Sequence, residues 1–249
     1  MPGAPVKQRE PILRLADMPL IPLLMLQAAW VAARAARLPE APGPRAGRSG
    51  DGPVLRLLVL GDSSAAGVGA TSQDVALAGR LVACLAPYRD VRWVLHARSG
   101  ATARSTLASL ETMAPGPHDA AVLALGVNDT KNGVSAARWR RDYAALLDAL
   151  NQRFGVTLCV ASGVPPLQRF PLLPRPLRDV LGRRAARLDH ELAQLAAARP
   201  GVVHLPVGDA LDPSCMAEDG FHPGPAVYDR WARGLAAVLL ESPVCNLEV

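Results

Sequence analysis

The sequence predicts an α/β fold with a central parallel sheet of roughly five strands and helices on both faces. Three observations carry this. Strand-like and helix-like patterns alternate from residue 55 to about 240. The first apolar run, Leu57–Leu60, is continuous rather than alternating, as in a strand buried on both faces. It breaks at Gly61 into Asp62-Ser63-Ser64, which places a hydroxyl at the carboxyl end of a strand, where open α/β sheets hold their ligands.

The elements follow in order. Leu55–Leu60 reads as the first strand, and Asp74–Leu85 as a helix that Pro87 ends. Val91–Leu95 is the second strand, followed by the loop Ala97–Thr102. Thr102–Thr112 is helical up to the turn Pro115-Gly116-Pro117. Ala120–Leu125 is the third strand and leads into Gly126-Val127-Asn128-Asp129. Ser135–Phe154 is a long amphipathic helix, Val156–Ala161 the fourth strand, Leu177–Ala198 a helix, Val202–Leu205 the fifth strand and Pro223–Leu240 the closing helix. The connection Gly163–Pro176 stands apart. Its prolines exclude a regular helix or strand, yet it carries Phe170, Leu172 and Leu173, which either cap the core or line a substrate pocket.

The 249 residues suffice for one packed domain with an appendage, and three segments are expected. They are an N-terminal apolar segment with a Pro/Gly-rich linker (1–53), the body (54–242) and a short tail (243–249). The formal net charge of +5 is uneven: residues 1–50 hold seven Lys/Arg against three Asp/Glu, and the remainder twenty against nineteen. A nearly neutral body argues against a nucleic-acid surface. Cys84, Cys159, Cys215 and Cys245 form no CxxC pair, and no Cys/His cluster has metal-ligand spacing, so neither a metal nor a cofactor is expected. Met18–Ala33 is apolar except for Gln27 and is shorter than a spanning helix requires; Lys7, Arg9 and Arg14 precede it, and Arg34 and Arg37 follow. It reads as a membrane-surface anchor over 18–37 or as a helix docked on the body, in preference to a cleaved signal peptide. Cytoplasmic or membrane-associated placement is therefore expected, with export as the alternative.

Chemistry is concentrated in four loops. Asp219 and His222 are three residues apart in Asp219-Gly220-Phe221-His222-Pro223. A turn there lets the carboxylate hold one imidazole nitrogen while the other faces Ser63. His96, His118, His190 and His204 read as structural, the commoner role of a lone histidine. Gly100 and Asn128 follow the second and third strands, where a bare N–H and a side-chain amide can stabilise a developing oxyanion. All four loops leave the same edge of the expected sheet.

The four blocks together resemble the SGNH (GDSL-type) hydrolases. Gly61-Asp62-Ser63 resembles the nucleophile block, Ser99-Gly100-Ala101-Thr102 the glycine block, Gly126-Val127-Asn128-Asp129 the GxND block and Asp219–Pro223 the DxxH block. Ser64 stands where Leu or Ile is commoner, and no asparagine precedes the second-block glycine. The resemblance implies a three-layer α/β/α sandwich of flavodoxin-like type and metal-free hydrolysis of carboxylic esters or thioesters. Ser63 would be the nucleophile, His222 the base, Asp219 the orienting acid, and Ser63, Gly100 and Asn128 the oxyanion donors. The expected partner is a small-molecule or lipid ester. A carbohydrate O-acetyl esterase is the alternative within the fold. A nucleotide- or ligand-binding module is the alternative outside it, although Gly67-Val68-Gly69 is followed by Ser72 where the dinucleotide fingerprint needs glycine.

Overall fold

A computed structural model describes residues 19–34, 37–208 and 210–242 of the chain. Seven α-helices are described: α1 (Ile21–Arg34), α2 (Leu77–Leu85), α3 (Ala103–Thr112), α4 (Val127–Lys131), α5 (Ala136–Phe154), α6 (Leu177–Ala197) and α7 (Pro225–Glu241). The strands are β1 (Ala46–Ser49), β2 (Val54–Gly61), β3 (Asp90–Ala97), β4 (Ala120–Ala124), β5 (Leu158–Ser162) and β6 (Val202–Leu205). They form one six-stranded sheet in the order β1-β3-β2-β4-β5-β6. Every pairing is parallel except that of β1 with β3.

The expected count of about five strands is therefore corrected to six. The extra strand, β1, lies inside the Pro/Gly-rich stretch read as a linker. Its four residues carry no apolar signal, because an edge strand exposed along its length needs none. The tail 243–249, like most of the segment before α1, lies outside the described residues.

β2 is the hub of the sheet. Leu57 and Val59 face one layer, Leu58 and Leu60 the other, and none of the four retains solvent exposure. Each such burial contributes roughly 1.5–3 kcal/mol. On one face β2 meets α2 and α7 through Leu77, Leu81, Tyr228 and Leu235. On the other it meets α3 and α5 through Leu110, Trp139, Tyr143 and Leu146, with α6 packed on α5. β2 is flanked by β3 on one side and β4 on the other, so the chain reverses its winding there. That reversal opens a crevice at the carboxyl end of β2.

Register sets the level of the loops. Gly61 pairs with both Ala97 and Ala124, so β2, β3 and β4 end side by side. Helix starts then fix where the loops go. Thr102 caps α3 in a reciprocal box with Ser105, and Ser135 accepts from the Arg138 N–H at the start of α5. Gly126 turns β4 into α4 with φ of 124°, and a Cβ there would lie 2.6 Å from Val164 Cγ2. The closing helix starts at Pro225 rather than Pro223, because Gly224 is its extended N-cap and Pro223 pairs with Met216.

Candidate active site

Ser63 is the second residue past β2, in a loop held by its own neighbours. Asp62 Oδ1 accepts the Ser64 N–H at 3.0 Å and the Ser64 hydroxyl at 2.8 Å, a short-range side-chain turn that fixes the backbone on either side of Ser63. The Ser63 hydroxyl lies 3.0 Å from His222 Nε2. On the far side of the ring, His222 Nδ1 lies 2.5 Å from Asp219 Oδ2. Asp219 Oδ1 accepts the backbone N–H groups of Phe221 and His222, both at 2.9 Å. Burial works to raise the Asp219 carboxyl, but the hydrogen bonds from the His222 ring and these two N–H groups outweigh it and hold the carboxyl below its ordinary range.

An acid beside a histidine does not by itself mark a base. His204 also has a carboxylate, Asp189 Oδ1, at 2.8 Å. His222 differs because its second nitrogen meets a serine.

The three groups expected to bind an oxyanion fall into two kinds. The N–H groups of Ser63 and Gly100 have no acceptor among the described residues, and both residues line the same open cavity. Gly100 holds φ of 82°, which turns the loop so that its N–H is left over. Asn128 is already engaged. Its Nδ2 donates to Ala101 O at 3.0 Å and to Asp62 Oδ2 at 3.2 Å, and its Oδ1 accepts from Lys131 Nζ at 3.3 Å. A donor-only ammonium on one side and two acceptors on the other leave one orientation for the amide.

Two buried carboxylates in this layer escaped the sequence reading as site residues. Their only signal was adjacency, Asp62 to Ser63 and Asp129 to Asn128. Burial pushes the Asp62 carboxyl up against the hydrogen bonds from Ser64. Asp129 accepts the Ala103 N–H at 3.3 Å on each oxygen, which ties the start of α3, and with it the Gly100 loop, to α4. Burial pushes its carboxyl up to about 6.

That shift has a sign. The folded chain binds the proton more tightly than the unfolded chain, so the stability tied to Asp129 is full below about pH 4 and is lost as pH rises through about 6. Asp129→Asn keeps an oxygen for the Ala103 N–H and removes the buried charge. Urea unfolding should show little difference from wild type at pH 4. At pH 7 the variant should gain at most about 3 kcal/mol. An equal difference at both pH values would refute the linkage.

Two cavities meet at Ser63 and His222. One is narrow, apolar and about 50 Å³, lined by Leu125, Val127, Phe170, Leu211 and Trp231 among others. The other is open and about 600 Å³, lined by Gly100, Asn128, Leu172, Leu173, Leu177 and Leu181 together with Ala28, Val31 and Ala32 of α1. Phe170, Leu172 and Leu173, grouped in the sequence as one candidate pocket, are thus divided: Phe170 faces the small cavity, the two leucines the large one. Phe170 and Leu173 are also buried members of the core. The contribution of α1 went unread, because the only polar residue of its apolar run, Gln27, gave the sole signal. Gln27 donates to Arg175 O at 2.6 Å and accepts from the Leu177 N–H at 3.0 Å, docking α1 on the start of α6. Among the described residues no group of three or more His, Cys, Asp and Glu could hold a metal ion.

The sequence profile of the GDSL-like Lipase/Acylhydrolase family matches residues 59–230, more than half of the chain. Among solved structures, a member of the lipolytic protein G-D-S-L family from Veillonella parvula is similar at a TM-score of 0.61 and 14% identity, covering 76% of this chain and 100% of that one. An inhibitor-bound aryl esterase of M. smegmatis is similar at 0.60 and 18% identity, covering 75% and 98%. Est24, a carbohydrate acetylesterase from Sinorhizobium meliloti, is similar at 0.59 and 17% identity, covering 75% and 98%. At these identities the likeness is one of fold. No curated protein matches the sequence.

Proposed function

The chain belongs to the GDSL-like lipase/acylhydrolase family and is an ester hydrolase, and from this we propose that it cleaves apolar carboxylic esters or thioesters through an acyl-enzyme on Ser63. The observation that carries the reading is the continuous line Ser63 Oγ, His222 Nε2, His222 Nδ1, Asp219 Oδ2, with bonds of 3.0 and 2.5 Å. His222 takes the proton from Ser63 as Oγ attacks the carbonyl carbon. Asp219 holds the imidazole with Nδ1 protonated, so Nε2 is free to accept, and stabilises the imidazolium that forms. The N–H groups of Ser63 and Gly100 receive the oxyanion. Asn128 joins them by giving up its longer bond, to Asp62, so its contribution appears only as charge develops. The alcohol leaves with the proton from His222. A water deprotonated by the same ring then attacks the acyl carbon and releases the acid.

For the substrate, the oxyanion donors open onto the larger cavity. Its side chains are mostly aliphatic, which suits an acyl chain better than a sugar. Residues 18–37 belong to the same proposal, as the part of the chain that meets a lipid surface.

A second reading has one observation in its favour. An apolar cavity of about 150 Å³ takes benzene, so the narrow one, at about 50 Å³, takes roughly two carbons. That size suits an acetyl ester.

A series of p-nitrophenyl esters from acetate to decanoate separates the two. If the large cavity holds the acyl chain, each buried methylene contributes at most about 0.8 kcal/mol, and kcat/KM should rise several-fold for each two carbons up to medium length. Leu172→Ala should flatten that rise, and Phe170→Ala should leave it. Fastest turnover of acetate, with no rise in either variant, would favour the acetyl esterase.

A further inference from the structure

α1 has two faces with different surroundings. Leu24, Gln27, Ala28 and Val31 recur at helical spacing; Leu24 is in the core, Gln27 is hydrogen-bonded to the body, and Ala28 and Val31 line the larger cavity. The opposite side is equally apolar, yet nothing described covers it. Of the seven large hydrophobic residues exposed among the described ones, five lie on this helix: Ile21, Leu23, Met25, Leu26 and Trp30. Met25 and Leu26 are 68% and 69% exposed. A helix apolar on every side is a buried helix, so the outer face lacks a cover.

Length and charge say what the cover is. At 14 residues α1 is about 21 Å long, short of the roughly 30 Å of a bilayer core. No described helix is long and apolar enough to cross a membrane. Charge at its ends is positive. Arg34 lies over the Trp30 ring at 5.2 Å and Arg37 follows, while Lys7, Arg9 and Arg14 precede the helix in sequence. An indole with an arginine beside it is an arrangement suited to the boundary between headgroups and acyl chains. The excess of basic residues in this segment complements anionic headgroups.

We propose that α1 lies half-immersed in an anionic lipid surface, with its outer face among the acyl chains and its inner face walling the cavity that holds Ser63. An ester dissolved in the lipid then reaches Ser63 along α1 without crossing water. Only this delivery step rests on the esterase reading; the docking surface does not.

The test uses the full chain with vesicles of phosphatidylcholine, alone or with one quarter phosphatidylglycerol. Wild type should sediment with the anionic vesicles, less with the neutral ones, and less again as salt rises. The triple variant Met25→Ser, Leu26→Ser, Trp30→Ser should lose at least about tenfold in partition. It should cleave a fluorogenic long-chain ester carried in the vesicles at least about tenfold more slowly, yet keep wild-type kcat/KM on soluble p-nitrophenyl butyrate. Should the triple variant fold poorly, Arg34→Glu decides: partition should fall several-fold on anionic vesicles only. Ser63→Ala should partition like wild type. Vesicle binding by a wild type that cleaves no soluble ester would uphold the surface and sink the esterase reading. A wild type that cleaves soluble ester but stays in the supernatant with both vesicle types overturns the proposal. So does a dimer, dissociated by the triple variant, in a protein that binds neither vesicle, because a second copy then covers α1.

Discussion

Ser63→Ala is expected to lower kcat by as much as about 10⁶-fold, the loss seen when a serine hydrolase forfeits its nucleophile. The neighbouring hydroxyl offers no rescue. Ser64 Oγ is 2.8 Å from Asp62 Oδ1, and its hydrogen is committed to that carboxylate. It therefore makes no bond to His222, the base proposed for Ser63. A fluorophosphonate probe should label wild type and leave the variant unlabelled, with the fold unchanged by circular dichroism. Labelling that persists in Ser63→Ala would make Ser64 the nucleophile.

Asp219→Asn is expected to cost about 10⁴-fold in kcat, with KM nearly unchanged. The substitution keeps size and shape, and Asn Oδ1 can still accept the N–H groups of Phe221 and His222, now at 2.9 Å from the carboxylate. What changes is the partner of His222 Nδ1. An amide NH₂ donates, so it favours the tautomer with Nδ1 bare and Nε2 protonated, and that ring cannot accept from Ser63. The variant should stay folded and lose turnover. A loss under tenfold would mean that Asp219 shapes the turn rather than orients the base.

The groups proposed as oxyanion donors differ from one another in how they are held. The N–H groups of Ser63 and Gly100 have no acceptor among the described residues, while the amide of Asn128 is held by Asp62, Ala101 and Lys131. Holding the amide in one orientation lowers the reorganisation needed during reaction. The same contacts explain two buried carboxylates in one layer. Asp62 and Asp129 are costly to bury, and each fastens one loop to another, Asp62 through Asn128 and Asp129 through the Ala103 N–H. Between them they tie the loops after β2, β3 and β4 into a single unit.

Much of this was legible in the chain. The strand and helix alternation located every parallel strand, most clearly Leu57–Leu60, β4 and β5, which are buried along apolar runs. Ser63, His222 and Asp219 were readable as candidates because the chemistry proposed for them demands particular residue types next to particular breaks. β1 was not readable. Ala46–Ser49 is a strand only because β3 offers it a free edge, and an exposed edge leaves no hydrophobic pattern. Prolines and glycines in its neighbourhood pointed to a linker instead.

The sequence by itself determined the parallel strands and the longer helices, the Ser63, Asp219 and His222 constellation as a candidate, and the short apolar segment before the Pro/Gly-rich stretch. These are local properties: periodicity, a turn three residues long, a run of a given length. Tertiary structure alone decided that Asn128 is shared with Asp62, that Phe170 and Leu172 face different cavities, and that α1 walls the larger one. Each of those depends on pairs of residues far apart in the chain, 66 positions for Asn128 and Asp62 and 148 for Gln27 and Arg175. Such pairs meet only after the sheet has set the level of its loops and the helices have packed against it, and no local pattern records that meeting.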